Sequence, residues 1–351
     1  MATKINISHW NSLPWHSTGG TRDKKYLFNP DDGHTYYFKK SAEKFPLEFW
    51  SEIIAYELGN QIKLDVLKYD VAIFENEIGC ISKSMINIDE EELIEGGKYL
   101  QAYDPTFSPE DKTKRHLYTF NLIEGALKSF SLEEYMHNIL QVIVFDTIIG
   151  NVDRHQENWA FIGRYTKLTK SVNEMQDSFN TVGHFQSPKW FKKLISYITE
   201  IKNDKTQFIP EVNKIKLHLT PKIKFAPIYD SGSSLCRECT SDKVESMLKS
   251  QIELESYMIK GEAEIYWNSK KKRKHFALIT EILGTSHKEN LIQIIKEITQ
   301  NYNEESFRNA VQNIDNEVPD EFINIKIPQN RKDVIIKLVS LRTQKLGELI
   351  K

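Results

Sequence analysis

The segment "ILQVIVFDTIIGNVDRHQENW", Ile139 to Trp159, constrains this chain more than any other. Its first part is an apolar run of about eleven residues interrupted by Asp146, too short and too polar for the roughly 20 residues of a membrane span. The pattern predicts a helix that starts at Ser131, capped by that side chain with Glu134 three residues on. Leu132, Tyr135, Met136, Ile139, Leu140 and Ile143 then recur at helical spacing up to Gly150. Directly behind it stand Asn151, Asp153, Arg154, His155, Glu157 and Asn158, far more polar chemistry than a helix needs in order to end.

At 351 residues the chain exceeds the roughly 250–300 at which a single core stops growing, so one two-lobed unit or two domains are expected. With a formal net charge of -2 and 27% charged residues, nothing draws it as a whole to nucleic acid or to acidic membranes. A bound polyanion must be held by a local site, and direct nucleic-acid binding is not expected. The three cysteines cannot form a disulfide framework. The N-terminus "MATKINISHWNSLPWH" lacks the apolar core of a signal peptide. A cytoplasmic protein with no transmembrane segment is the expectation.

The first ninety or so residues read as strands and turns around one helix. "KKYLF" and "YYFKK" flank the turn-rich "NPDDGHT", a hairpin pattern. Pro46 opens the helix "PLEFWSEIIAYELGN", with Gly59 and Asn60 read as its end. "VAIFENEIGCISKSMI" is a second hairpin, turning near Glu75 to Glu77. Beyond "DEEE" the pattern is mainly helical, apart from the strand-like "WAFIG" and "KIKFAPIYD". The expected fold class is α+β and bilobal: a small strand-rich lobe over 1–88 and a larger, mainly helical lobe over 89–351, with an insert at about 167–222 that carries its own amphipathic helix.

Four kinds of polar element follow one another in an order that phosphoryl transfer would use, a reaction that rests on positioning and charge neutralisation. Gly19 and Gly20 would let backbone amides approach phosphates, with Ser17, Thr18 and Thr21 beside them. Lys39 in a strand could reach those phosphates, and Glu52 on the helix could hold the lysine by an ion pair. Asp153 could accept the proton of an attacking hydroxyl. Asn158 and Asp230 offer oxygen donors suited to magnesium.

These residues resemble the HipA-like serine/threonine kinases of bacteria. "STGGTRDKKYL" is similar to that family's phosphate-binding loop, "YFKKS" to its lysine strand and "SEIIAYELG" to its glutamate helix. "IIGNVDRHQENW" is similar to its catalytic loop and "APIYDSGSSL" to its metal-binding loop. The resemblance implies a protein-kinase-like fold, ATP and Mg2+, Asp153 as catalytic aspartate, Asn158 and Asp230 as metal ligands, and Lys39 rather than Lys40 on the phosphates. It places adenine against Lys83, Ser84, Met85 and Ile86, and makes Ser17, Thr18 and Thr21 candidate autophosphorylation sites. It further implies a protein substrate and, for a toxin-type member, an antitoxin or regulatory partner chain. Because the phosphate loop starts by Ser17, the chain resembles a short form without the extra N-terminal domain, similar to HipT or CtkA-type kinases.

His155 reads as a group that orients the catalytic loop by hydrogen bonds, with Asp146 in similar support. Arg154 either neutralises an acceptor's charge or braces the loop. The insert either gates substrate or decorates the surface. Cys236 and Cys239 form a lone C-x-x-C without the second pair that structural zinc requires. "KKKRK" at Lys270 to Lys274 reads as a solvated loop. AMP transfer, a phosphoinositide or small-molecule kinase, and a non-catalytic nucleotide-binding regulator are the rival functions.

Overall fold

In each strand of the first lobe, successive side chains point to opposite faces, so the lobe needs something to cover both. A computed structural model of the chain describes residues 5–13, 24–87, 90–164, 223–268 and 270–351. The expected phosphate loop, Ser17 to Thr21, lies outside them, as do the insert 167–222 and its amphipathic helix. Strands β1 (Ile5–Asn6), β2 (Asn11–Ser12), β3 (Lys24–Asn29), β4 (His34–Lys39), β5 (Asp70–Phe74) and β6 (Glu77–Lys83) form one sheet in the order β1-β5-β6-β4-β3-β2. All its pairings are antiparallel except β1 with β5. Both expected hairpins are present. The second turns through Glu75 and Asn76 at φ 49° and 65°, the two left-handed residues of a tight two-residue turn.

One face of this sheet buries Ile7, Trp10, Leu27, Phe38, Ala72, Phe74 and Ile81 together. The other is covered by helix α1 (Glu48–Gln61), whose Phe49, Trp50, Ile53, Ile54 and Leu58 join the main core of the chain. Gly59 does not end this helix. It lies inside it, where a Cβ would sit 2.2 Å from Val66 Cγ2, so glycine is set there by close approach rather than by a terminus.

The second part carries a three-stranded sheet, β7 (Glu91–Glu95), β8 (Ala160–Arg164) and β9 (Lys224–Phe225), in the order β7-β8-β9. Around it stand α2 (Gly96–Tyr103), α3 (Phe120–Ser129), α4 (Met136–Ile149), α5 (Ser241–Lys249), α6 (Gln251–Lys260), α7 (His275–Leu283), α8 (Lys288–Asn301), α9 (Glu304–Asn313) and α10 (Gln329–Leu349). Helix α4, apolar nearly all round, is packed by α7, α8 and α10, and eleven of its residues are buried. That surround is what its composition demands.

The start of α4 differs from expectation. Ser131 does not cap it; Ser131 adopts φ 58° and closes the preceding helix instead. The N–H of Ser131 donates to Lys128 O at 3.2 Å and that of Leu132 to Leu127 O at 2.8 Å, a paired left-handed helix stop with Leu127 and Leu132 buried together. A short 3-10 turn, Glu133–Tyr135, then leads into α4. An N-cap needs extended backbone, so the residue that ends α3 cannot also begin α4.

Candidate active site

Period-two alternation along β4 separates Phe38, which joins the outer cluster, from Lys39, which turns toward α1. There the Lys39 ammonium donates to Glu52 Oε1 at 2.6 Å and to Asp230 Oδ1 at 2.7 Å. Glu52 is fully buried, and its second oxygen accepts the Ser231 N–H at 2.7 Å. One cation thus ties together a strand, a helix and a distant loop, and the loop backbone is tied to the same glutamate. Removing one member of such a pair leaves a buried charge without its partner, at a cost of about 3–5 kcal/mol. Lys40 instead reaches the exposed Glu77 at 2.7 Å on the rim of the sheet.

Asp230 sits at φ 55°, in the left-handed region that Asp tolerates better than most residues. Its backbone N–H lies against the buried hydroxyl of Tyr69. Burial and the nearby Glu52, Cys80 and Asp230 push the Tyr69 phenol well above its usual pKa, which keeps the hydroxyl neutral. Asp230 and Glu52 thus share one cation, the Lys39 ammonium, from a partly exposed and a buried position respectively.

The loop behind α4 is built on Gly150, which leaves the helix at φ 68°. A Cβ there would meet the Arg342 guanidinium at 2.5 Å. The next residue, Asn151, donates to Asp146 Oδ1 at 3.0 Å and accepts the Asp153 N–H at 3.2 Å. Arg154 points inward and is 2% exposed, which shows it bracing the loop and not meeting a solvent-borne acceptor. It donates to Asp146 at 2.9 and 3.0 Å, to Asn158 O at 2.9 Å, to Ser231 Oγ at 3.3 Å, and to Tyr229 O. Burial opposes its charge, but the Asp146 carboxylate outweighs that and holds its pKa above the usual arginine value. Asp146, read as a support from sequence, is thus the counter-ion of the residue that links the two loops.

Asp153 is partly exposed on the outer side of that brace, and its Oδ2 accepts the Ser233 hydroxyl at 3.2 Å. Asn158 is buried and donates its Nδ2 to Asp153 O at 2.8 Å, which leaves Oδ1 as its free side-chain acceptor. The His155 ring faces Glu157, accepting that residue's N–H at Nδ1 over 3.4 Å and lying 3.8 Å from its carboxylate. Its contacts are within the loop, as a loop-ordering group would have.

Between the lobes, Met85 and Ile86 pack with Leu93 and Tyr229 against buried Ala160, Ile162 and Ala226. This is a small packed apolar cluster beneath the connecting segment, and Met85 and Ile86 are its partly exposed edge. Ser84 Oγ donates to Ile86 O at 2.9 Å and so shapes the connecting segment, while Lys83 is exposed at the end of β6.

The donors fit a magnesium ion: one partly exposed carboxylate, Asp230, and one oriented amide oxygen, Asn158. Among the described residues no group of three or more His, Cys, Asp or Glu side chains is gathered as a protein cage. Magnesium ordinarily keeps waters and completes its shell with substrate phosphates, so two protein donors suit it. Cys236 and Cys239 are buried free thiols whose carbonyls are held by Arg331, an anchor for the loop to α10. Lys272 and Arg273 of the basic run pair with Glu264 and Glu281. No helix among the described residues is long and apolar enough to cross a membrane.

No protein-family model matches the chain, and no curated protein matches it in sequence. Solved structures do match. A Helicobacter pylori proinflammatory kinase, CtkA, superposes with a TM-score of 0.69 at 15% identity, over 99% of this chain and 96% of that one. A chain of the Shewanella oneidensis MR-1 toxin–antitoxin complex of HipA, HipB and its operator DNA gives 0.49 at 12% identity, over 98% of this chain and 69% of that one. The likeness to CtkA extends over nearly the whole of both chains, and the chain has the fold of that kinase.

Proposed function

We propose that this chain is an ATP- and magnesium-dependent serine/threonine protein kinase of HipA-like type. The observation that carries the reading is the Lys39–Glu52–Asp230 contact, which joins three separate segments beside a loop that presents Asp153. A buried ammonium with two carboxylates is an expensive arrangement unless a ligand uses it.

In this reading adenine lies against the connecting segment from Lys83 to Ile86, and Lys39 turns from Asp230 toward the phosphates while Glu52 keeps it oriented. Asn158 and Asp230 would hold the magnesium ion, which when bound offsets phosphate charge. Asp153 accepts the proton of the attacking hydroxyl. Arg154 carries no proton in the reaction; it keeps the catalytic and metal-binding loops at a fixed separation. The acceptor is a protein serine or threonine. Ser17, Thr18 or Thr21 of the chain itself is a further acceptor in this proposal. A restraining partner chain and a toxin-type role accompany the proposal on the strength of the sequence motifs.

The test is incubation of the purified protein with magnesium and ATP labelled at either the γ or the α phosphate, with protein, phosphoinositide and small-molecule acceptors in parallel. We expect label from the γ position alone, on protein serine or threonine. Label retained only from the α position would replace the proposal with AMP transfer, and label on lipid alone would replace the acceptor class.

A further inference from the structure

The loop after Asp230 does more than carry that carboxylate. It folds back along the catalytic loop, stitched to it by two backbone hydrogen bonds: Val152 N–H to Ser233 O at 3.4 Å and Leu235 N–H to Ile149 O at 3.0 Å. Ser233 makes the first of these stitches and is buried, with Ser234 Oγ donating to Ser231 O at 2.6 Å to tighten the same turn. Its hydroxyl is thereby aimed at Asp153, donating to Oδ2 at 3.2 Å.

The supports of Asp153 divide cleanly. Its N–H is held by Asn151 and its C=O by Asn158, which fixes the backbone. These bonds leave the carboxylate free to rotate about its side-chain torsions. Among the described residues, Ser233 is the hydrogen-bond donor to that carboxylate. A bond to Oδ2 orients the group and leaves Oδ1 for an incoming hydroxyl. Resting on the kinase reading above, we infer that Ser233 is a positioning residue for Asp153: the metal-binding loop sets the rotamer of the catalytic carboxylate, so that metal site and base are assembled together.

The opposite role is also defined by the geometry. If the Ser233 hydroxyl occupied the place of the acceptor hydroxyl, it would compete with substrate, and removing it would raise turnover.

Steady-state turnover of Mg-ATP is measured for wild type, Ser233→Ala and Ser233→Thr, with water and dephosphorylated casein as generic acceptors, alongside nucleotide Kd and Tm. A hydrogen bond to a charged group contributes enough that Ser233→Ala should lower kcat roughly 10- to 100-fold. KM for ATP and Kd should stay within about twofold, because the Ser233 hydroxyl is committed to Asp153 and is assigned no part in holding nucleotide. Ser233→Thr, which keeps the hydroxyl, should regain most of kcat.

Unchanged or increased kcat in Ser233→Ala overturns the inference. So does an effect confined to KM, or a loss in both variants that follows Tm. A wild type that binds ATP without turning it over fails the kinase reading itself, whereas an active wild type with an equally active Ser233→Ala fails the positioning role alone.

Discussion

Lys39 and His275 are both buried titratable side chains, and the fold treats them in opposite ways. Lys39 is met by two carboxylates, Glu52 and Asp230, within 2.7 Å. His275, at the start of α7, loses its charge. Burial, then the neighbouring Arg342 guanidinium, lowers its pKa to about 3, while a hydrogen bond to the Asn151 backbone carbonyl opposes the shift only weakly. It thus supports the catalytic loop from behind as a neutral ring. The folded-state value lies below the usual 6.5, so unfolding takes up a proton in between. Stability from this group is complete above about pH 6.5 and is lost as the pH falls toward 3, at up to about 1.4 kcal/mol per pH unit. Urea unfolding at pH 7 and pH 5 should show wild type losing about 2 kcal/mol more than His275→Gln across that interval. Equal losses would mean that the ring is solvated or charged in the folded protein.

Among elements, α1 decides whether the lysine has its partner. Its first turn is held by Glu48 to Arg237, its middle by Trp50 Nε1 to Ile325 O at 2.7 Å and Ser51 Oγ to Ser234 O at 3.2 Å, and its end by Gln61 to Asn303 O at 3.0 Å. A helix tied at both ends to the second lobe carries Glu52 as a fixed group. Gly59 allows this by letting α1 approach Val66, which is bridged to Ile228, two residues before Asp230. Gly59→Ala adds helix propensity of about 1 kcal/mol but forces a methyl into a stiff β-branched neighbour. Overpacking of about 1–3 kcal/mol should win, lowering Tm by a few degrees in thermal unfolding. An unchanged or higher Tm would show that the helix can withdraw from Val66 without cost.

The sequence made α1 visible but not its Gly59, which looked like a helix end because glycine commonly is one. Ser131 misled for a related reason: a serine before a glutamate at three residues can begin a helix, and only the chain upstream reveals that it is closing another. That Lys39 would meet Glu52, and that Asp153 and Asn158 would share one loop, was legible because each stands at a strand, helix or loop position marked by apolar spacing around it. Arg154 and Ser233 were not, since their meaning lies in which distant atoms they reach. Asp146 and Ser231 are 85 residues apart along the chain yet share the Arg154 guanidinium, a relation that no local pattern encodes.

At the scale of the whole molecule, the two lobes meet at a site assembled from both: Lys39 and Glu52 from one, Asp153, Asn158 and Asp230 from the other, with one apolar core running through α1 into the helices beyond. Under the proposed function such a site would bind nucleotide through many groups but depend on one for proton transfer. Asp153→Ala should therefore separate binding from chemistry. The direct measurement compares wild type and Asp153→Ala for ATP affinity in magnesium and for γ-phosphate transferred to protein, read by mass spectrometry of intact and digested chains. We expect equal affinity within about twofold, and transfer reduced by 10²–10⁴ in the variant, the range of general-base catalysis. Transfer at the wild-type rate by Asp153→Ala, or ATP bound by wild type with no phosphate transferred to any protein, would contradict the account.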